Sequence, residues 1–412
     1  MTIYIMYYTR KGGKMQMKDK IILHVDANSF YASVETSFHP ELKKQPVAVS
    51  GNPKKRNGII LAKNELAKKQ GVLTGEAIWE SKQKCPDLIC LPPNMELYEE
   101  FSEEMHHIFE KYTHKIEAMG LDECWLDVTE TAHLFGGAEN IATSIRKEIR
   151  EKLNITVSVG ISFSKILAKL GSDLKKPDAQ TVISRENYKQ IVYPLPIESI
   201  IGIGSRMTRN LNKMNVFTLG DLLEIPAYIL DSKFSIVFKD IRKKLLGFST
   251  GEIASIYEKE PPKSVGNGTT TIFDIFSRDE IEATVLFLAD KISARLRKQK
   301  LYASSLSISI RDCKLNVVKT CRALPISTNT TSDFVKFAMK IIDEFWGFGE
   351  KIRSIRLSAR NLTTTDNVQC SIFQNIEDKK DGLNTSIDIL RKKYGKAIIL
   401  PATMLCSDFI SK

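Results

Sequence analysis

The 412-residue chain is too long for one compact core and divides into about three or four domains. Its make-up, 42% hydrophobic and 26% charged, is that of an ordinary soluble globular protein, and its formal charge of +11 points to a polyanionic partner, because cations that neutralise phosphates bind whatever the sequence. No run of about 18 apolar residues exists to span a membrane, and seven cysteines with no C-x-x-C and no paired His exclude a zinc framework and a disulfide scaffold, so reduced thiols in a cytoplasmic protein are expected.

Residues 1–19 place a few apolar side chains ahead of their positive charges, the wrong order and length for a secretory signal. They are expected to form an N-terminal extension, with Met15 or Met17 as an alternative start. From Lys20 to about Ser184 the β-rich runs IILHVDA, QPVAVSG, NGIILAK, ITVSVGIS and AQTVIS alternate with helical stretches such as NMELYEEFSEEMHHIFEKYT and ENIATSIRKEIREKL, the pattern of a layered α/β or α+β domain. The proline-bearing linker VYPLPIES leads into IIGIGSRMTRNLNKMNVFTLGDLLEIP, and the pattern stays helical to about Ile256. PPKSVGNGTTTIF opens a further unit, in which strand-like LYASSLSISIRD and IRSIRLSARNL accompany helical DEIEATVLFLADKISARLRKQK and SDFVKFAMKIIDEFWGF. From about Thr363 the chain is polar and interrupted and is expected to be largely flexible. The six His residues have no partner at metal-binding helical spacing and read as helix-face residues.

Two acidic clusters lie far apart in this order of elements: Asp26 in IILHVDANSF, and Asp122 with Glu123 in AMGLDECWLDV. Each sits at the end of an apolar run, where a strand delivers a carboxylate to a sheet edge. Carboxylates without a Cys or His cluster suit a hard, oxygen-seeking ion such as Mg²⁺. Two such ions, roughly 3.5–4 Å apart, clamp an in-line phosphoryl displacement, so nucleotidyl transfer is the chemistry implied. Taken singly, Asp26 reads more readily as a turn or cap residue, and Asp127 as a solvated hairpin residue.

The strings HVDANSFYASVE, GLDECWLDVT, SVGISFSKILAKLGSDLKKPD and IIGIGSRMTRNLNKMNVFTLGDL occur in the order and at about the spacing found in the Y-family translesion DNA polymerases, which the chain resembles from Lys20 to Leu362. The resemblance implies an α+β multidomain right hand. Its parts are a ferredoxin-like palm over 20–33 and 95–184, small fingers over 34–94, a helical helix-hairpin-helix thumb over 185–256, an α/β little finger over 263–362, and a flexible tail over 363–412 that carries a clamp-binding peptide. It implies that Asp26, Asp122 and Glu123, with the backbone carbonyl of Ala27, hold two Mg²⁺ ions. Tyr31 takes the place of the ring that excludes a 2′-hydroxyl, with Phe30 beside it, and Lys176 that of the lysine reaching the triphosphate, although the adjacent Lys175 is hard to separate from it by sequence.

Where relatives carry a Tyr and an Arg that contact the triphosphate, this chain has Glu65 and Lys68. Lys68 keeps the charge without the bidentate fork, and Glu65 is left out of the site. Gly202 and Gly204 would let backbone approach a DNA phosphate. Further DNA contacts are expected from Arg295 and Arg297 on a basic helix, and from Arg353, Arg356 and Arg360 along a strand whose apolar Ile352, Ile355 and Leu357 leave one packed and one basic face. In the tail, residues 369–373 resemble a sliding-clamp peptide, with Gln369, Ser371, Ile372 and Phe373 as its contacts on the clamp's beta subunit. The expected partners are primed template DNA, dNTPs and that clamp, for a monomeric enzyme without membrane attachment. Two rivals stay open: a nucleotide cyclase, which would need no basic further unit and for which no GGDEF-type string occurs, and a non-catalytic DNA-binding factor.

Overall fold

A computed structural model describes residues 19–52, 58–226, 236–247, 251–257, 261–346, 350–364, 377–395 and 398–405. The chain forms two compact units, one of residues 1–49, 61–74 and 80–259, the other of 50–60, 75–79 and 260–412.

The first unit is built on a five-stranded sheet of order β5-β6-β1-β7-β8. Its strands are β1 (Ile22–Ala27), β5 (Ile116–Met119), β6 (Glu123–Asp127), β7 (Val157–Ser162) and β8 (Gln180–Ile183). A smaller sheet of order β3-β2-β4 is made of β2 (Val47–Ser50), β3 (Ile60–Lys63) and β4 (Ile89–Leu91). β1 is central, antiparallel to both β6 and β7, and all six of its residues are buried, which is why IILHVDA reads as a nearly unbroken apolar run. Alternation then sorts its side chains between two layers. Leu23, Val25 and Ala27 meet the helices α4 (Met95–Phe109) and α5 (Ala138–Leu153) through Tyr98, Phe109, Ile141 and Ile145. Ile22 packs with Trp125 and Ala168 on the opposite face, where α6 (Lys165–Leu174) crosses β1, β7 and β8. His24 and Asp26, two and four residues after Ile22, fall on this second face.

α6 lies so close to the sheet because Gly160 of β7 has no side chain. A Cβ there would stand 1.8 Å from the carbonyl oxygen of Ala168 and 2.4 Å from the amide nitrogen of Ser172, both backbone atoms that cannot swing aside. Gly160→Ala is therefore expected to lift the helix and to cost about 3 kcal/mol or more. An unchanged thermal midpoint would sink this account of the packing. Beyond α6, the helices Ser205–Asn212, Leu219–Glu224 and Ile236–Leu245 gather a second core that includes Leu211, Leu219, Leu222 and Leu245.

The second unit carries a four-stranded antiparallel sheet of order β11-β10-β12-β9. Its strands are β9 (Ser264–Ile275), β10 (Leu301–Asp312), β11 (Val317–Thr328) and β12 (Ile352–Thr364). One face is covered by the helices Arg278–Lys298 and Thr331–Phe345 through Leu288, Ile292, Phe334 and Ile342. The Ser277–Glu280 capping box fixes the start of the longer helix, satisfying two backbone donors at once.

The expectation of flexibility from 363 onward fails over Glu377–Tyr394, which forms a helix. That helix is fastened to the helix Arg278–Lys298 by two ion pairs. Asp388 accepts from Nε and Nη2 of Arg297 at 2.6 and 2.9 Å, and both oxygens of Asp290 accept from Nη1 of Arg391 at 3.0 and 2.9 Å. No described helix is long and apolar enough to cross a membrane.

Candidate functional site

The pairing of β1 with β6 sets Asp26 opposite Glu123, and the Ala27 N–H donates to the Asp122 carbonyl at 2.9 Å. The two acidic clusters, about a hundred residues apart in sequence, thus meet at one end of the central strand pair. Asp26 is 5% exposed, while Asp122 and Glu123 are half-buried.

α6 and the turn after it supply the balancing charge. Lys176 Nζ donates to Asp26 Oδ2 at 2.7 Å and pairs with Asp173 Oδ1 at 2.9 Å. Lys169 Nζ stands 2.8 Å from Glu123 Oε2 and 3.6 Å from Asp26 Oδ2. Of the adjacent Lys175 and Lys176, it is Lys176 whose Nζ turns onto the carboxylates. Its turn is tied to β1 by Asn28, whose side-chain oxygen accepts from the Asp178 N–H at 2.8 Å and from the Thr156 hydroxyl at 3.0 Å. Arg146 and Arg150 hold the Asp178 carboxylate.

These charges are unevenly matched. Burial together with the charges of Glu123 and Asp26 pushes the Asp122 carboxyl up to about 6, and no ion pair reaches it among the described residues. In Asp26, burial raises the carboxyl against the pull of Lys176. In Glu123 burial acts upward too, but His24 and Lys169 outweigh it and hold the group down to about 2. His24 is fully enclosed, and burial lowers its pKa against the pull of Glu123.

Among the described residues no three His, Cys, Asp or Glu side chains are gathered as a ready-made metal cage. The donor chemistry nonetheless fits a hard divalent cation: the site offers only oxygens, and one of its carboxylates carries a repulsion that a cation would relieve.

Tyr31, on α1 (Phe30–Phe38), stacks on Tyr98 with ring centroids 4.4 Å apart and planes inclined by 17°. The Tyr98 hydroxyl donates to Glu35 Oε1 at 2.6 Å. Burial and the charge of Asp122 raise the Tyr31 hydroxyl, so ring and carboxylate share one neighbourhood. Phe30, expected beside it in the substrate site, is instead a core residue, 3% exposed and packed on the Tyr98 side of the sheet. Lys68, on the short helix Glu65–Lys69, pairs with Glu65 at 3.5 Å, and no ion pair links it to the carboxylates among the described residues. Gly202 has φ of +98°, a conformation that favours glycine, and Gly204 caps the exposed start of the helix Ser205–Asn212.

In the second unit, the sheet face away from the helices forms an open groove lined by Ser307, Ser309, Arg311, Lys319, Arg356 and Arg360. Arg295 is exposed and donates to the Gly266 carbonyl. Two of the arginines expected at DNA are placed differently from Arg356 and Arg360. Arg297 is only 11% exposed, and besides Asp388 it donates to the Asn329 carbonyl, so its guanidinium fastens the chain's own helices. Arg353 is the extra residue of a β-bulge: Ile352 lies opposite Asp312 and Ser354 opposite Arg311, leaving Arg353 unpaired in the register and outside the residues that line the groove. The clamp-peptide residues Gln369, Ser371, Ile372 and Phe373 lie outside the described residues.

Sequence patterns alone do not single out His24 as a site residue, and they present Lys169 only as part of a basic helix. Both carry a signal nonetheless. His24 is two residues from Asp26 on one strand face, and Lys169 follows Lys165 by one helical turn and precedes Lys176 by about two.

Residues 25–173 match the model of the impB/mucB/samB family, and residues 262–372 that of its C-terminal domain. Over 379 residues the chain is 38% identical to DNA polymerase IV of Acetivibrio thermocellus, covering 91% of this chain and 95% of that protein. It is 33% identical over 396 residues to DNA polymerase IV 2 of Bacillus subtilis, covering 94% and 95%. Among solved structures, the Y-family DNA polymerase chimera Dbh-Dpo4(243-245)-Dbh superposes with a TM-score of 0.72 at 25% identity, over 84% of this chain and 99% of that one.

Proposed function

The chain belongs to the impB/mucB/samB family of Y-family DNA polymerases, and from that membership we propose that it is a DNA-directed DNA polymerase that copies damaged template by two-metal nucleotidyl transfer. The observation that carries the reading is the β1–β6 register, which seats Asp26 against Glu123 beside Asp122 with Lys176 alongside.

In this reading 20–33 and 95–184 serve as palm, 34–94 as fingers, 185–256 as thumb and 263–362 as little finger. Asp26, Asp122, Glu123 and the Ala27 carbonyl hold Mg²⁺, two ions per site. Held there, such ions would supply Lewis-acid chemistry, lowering the pKa of the primer 3′-hydroxyl and neutralising charge on the triphosphate and the leaving pyrophosphate. The chain's own residues position the reactants. Lys176 supplies a strongly hydrated positive charge to the triphosphate, and Tyr31 lies flat beneath the sugar. The 3′-oxygen attacks the α-phosphorus, and the bond to the β-phosphate oxygen breaks with release of pyrophosphate.

Primer extension on a primed template is the test. Extension with Mg²⁺ and the dNTP matching the template, abolished by a chelator and by Asp122→Ala/Glu123→Ala, is expected. DNA binding without extension by either protein would leave the accessory-factor reading in its place.

The basic groove of the second unit fits duplex phosphates, which give affinity without sequence preference. Arg356→Ala and Arg360→Ala are each expected to weaken DNA binding and to lower the slope of log K against log salt by about 1. Arg297→Ala should leave that slope unchanged and lower the thermal midpoint instead. A salt slope lost with Arg297 rather than with Arg356 would reverse the assignment.

A further inference from the structure

One amide joins the strand that carries Asp26 to the turn that carries Lys176. Asn28 directly follows β1 and is 5% exposed. Its Oδ1 accepts from the Asp178 N–H at 2.8 Å and from the Thr156 hydroxyl at 3.0 Å, and its Nδ2 donates to the Ser158 hydroxyl at 2.9 Å. A backbone N–H can only donate, so the contact with Asp178 fixes which end of the amide faces the turn. Thr156 and Ser158 stand on either side of the first residue of β7, and Ser158 lies opposite Asp26 in the β1–β7 register. The amide is thus braced by β7 while it holds the turn.

Asp178 is gripped from two directions. Its φ of +52° is a conformation that few residues other than glycine adopt. Arg146 of α5 donates to its carboxylate at 3.0 and 3.2 Å and to its carbonyl, and Arg150 pairs with the carboxylate. Those arginines fasten the turn to α5, whereas Asn28 fastens it to the end of β1, two residues beyond Asp26. Lys176, two residues before Asp178, then reaches back to Asp26 Oδ2 at 2.7 Å. The path from Asp26 through Asn28, Asp178 and Lys176 closes on itself, so the lysine and the carboxylate it meets are held to one frame.

The main chain of Asn28 is pinned separately. Its N–H donates to the Thr156 carbonyl at 2.9 Å, and its carbonyl accepts from the Ser33 hydroxyl at 2.6 Å. A change of side chain leaves both bonds available, so the amide can be removed without unpinning the backbone.

We propose that Asn28 is a positioning residue: its side-chain amide sets the turn bearing Lys176 against β1, so that the ammonium meets the triphosphate of the incoming nucleotide beside the carboxylates. This role rests on the reading of Lys176 given above. It places Asn28 behind the reacting atoms, with its amide engaged by Asp178, Thr156 and Ser158.

The test measures KM and kcat for the matched dNTP, the affinity for inorganic tripolyphosphate by calorimetry with Mg²⁺ and primed DNA present, DNA affinity, and a thermal melt, all on the full chain. In Asn28→Ala, KM for dNTP and the dissociation constant of tripolyphosphate are each expected to rise about tenfold, since a displacement on the order of 1 Å is enough to cost as much as about 10²-fold. The loss should fall on KM more than on kcat, and DNA affinity should hold. In a Lys176→Ala background the same change should add less than about twofold, because the group that Asn28 places is gone. If Asn28→Ala does not fold, Asn28→Ser takes its place with the same expectation, its hydroxyl ending one bond short of Oδ1.

Folded Asn28→Ala protein with wild-type KM and wild-type tripolyphosphate affinity overturns the proposal where Lys176→Ala weakens both. So does an equal loss with and without Lys176, which marks a merely structural role. Wild-type KM and tripolyphosphate affinity in Lys176→Ala overturn the placing of Lys176 at the triphosphate, and the role of Asn28 with it.

Discussion

Asp122→Asn is expected to cut primer extension by ~10³-fold or more while making the cation-free protein more resistant to heat. The two effects have one cause. The Asp122 carboxyl is pushed up to about 6 by burial and by its acidic neighbours, and no lysine among the described residues pairs with it, whereas Glu123 has Lys169 and Asp26 has both Lys176 and Lys169. A carboxyl raised in the folded state costs stability wherever it is ionised. The cost is nil below its ordinary value near 4, grows as pH climbs to about 6, and is full above that. Removing the charge should therefore stabilise at pH 8 by about 1 kcal/mol, discounted for partial exposure, and do nothing at pH 4. Melts of both proteins in chelator at the two pH values check this. Equal midpoints at pH 8 would mean that the repulsion is already relieved, and retained activity would remove Asp122 from the chemistry.

Tyr31→Ala is expected to raise the use of ribonucleotides relative to deoxynucleotides by ~10²-fold. Discrimination against one extra hydroxyl is weak in a pliable apolar pocket, so a gate must be a rigid obstacle that builds a clash against the wrong sugar. Tyr31 qualifies because its ring lies against Tyr98, which is itself anchored by its hydroxyl to Glu35, and Phe30 closes the corner with centroids 5.7 Å from Tyr31. Tyr98→Leu should loosen the obstacle without removing it and give a smaller rise, about tenfold. Ratios of kcat/KM for matched rNTP and dNTP report both. An unchanged ratio in Tyr31→Ala, with dNTP use intact, would place the gate elsewhere.

β1 is legible in sequence because its residues obey two rules at once: an unbroken apolar run marks a strand covered on both faces, and the acid at its end has no competing role in the core. The pairing of Asp26 with Glu123 is not legible, because register depends on partners ninety-odd residues away. Phe30 and Tyr31 differ by one helical step of 100°, which sends one ring into the core and leaves the other at the site; a motif match treats them alike. Strand alternation unites Arg356 with Arg360 but sets Arg353, three residues before Arg356, on the other face, and a bulge at Arg353 breaks the register there as well. Arg297 looks like its basic neighbours, since nothing local announces that Asp388, ninety-one residues on, will claim it. The same pair explains why the tail reads as flexible. The docking face of the helix Glu377–Tyr394 is carried by Asp388 and Arg391 rather than by an apolar stripe, so hydrophobic periodicity has nothing to detect.

The docked helix ties a point well beyond β12 to the helix Arg278–Lys298 through the pairs Asp388–Arg297 and Arg391–Asp290. Ties of this kind weaken with added salt, whereas an apolar core does not, so rising ionic strength should release this helix before it melts the sheet of the second unit.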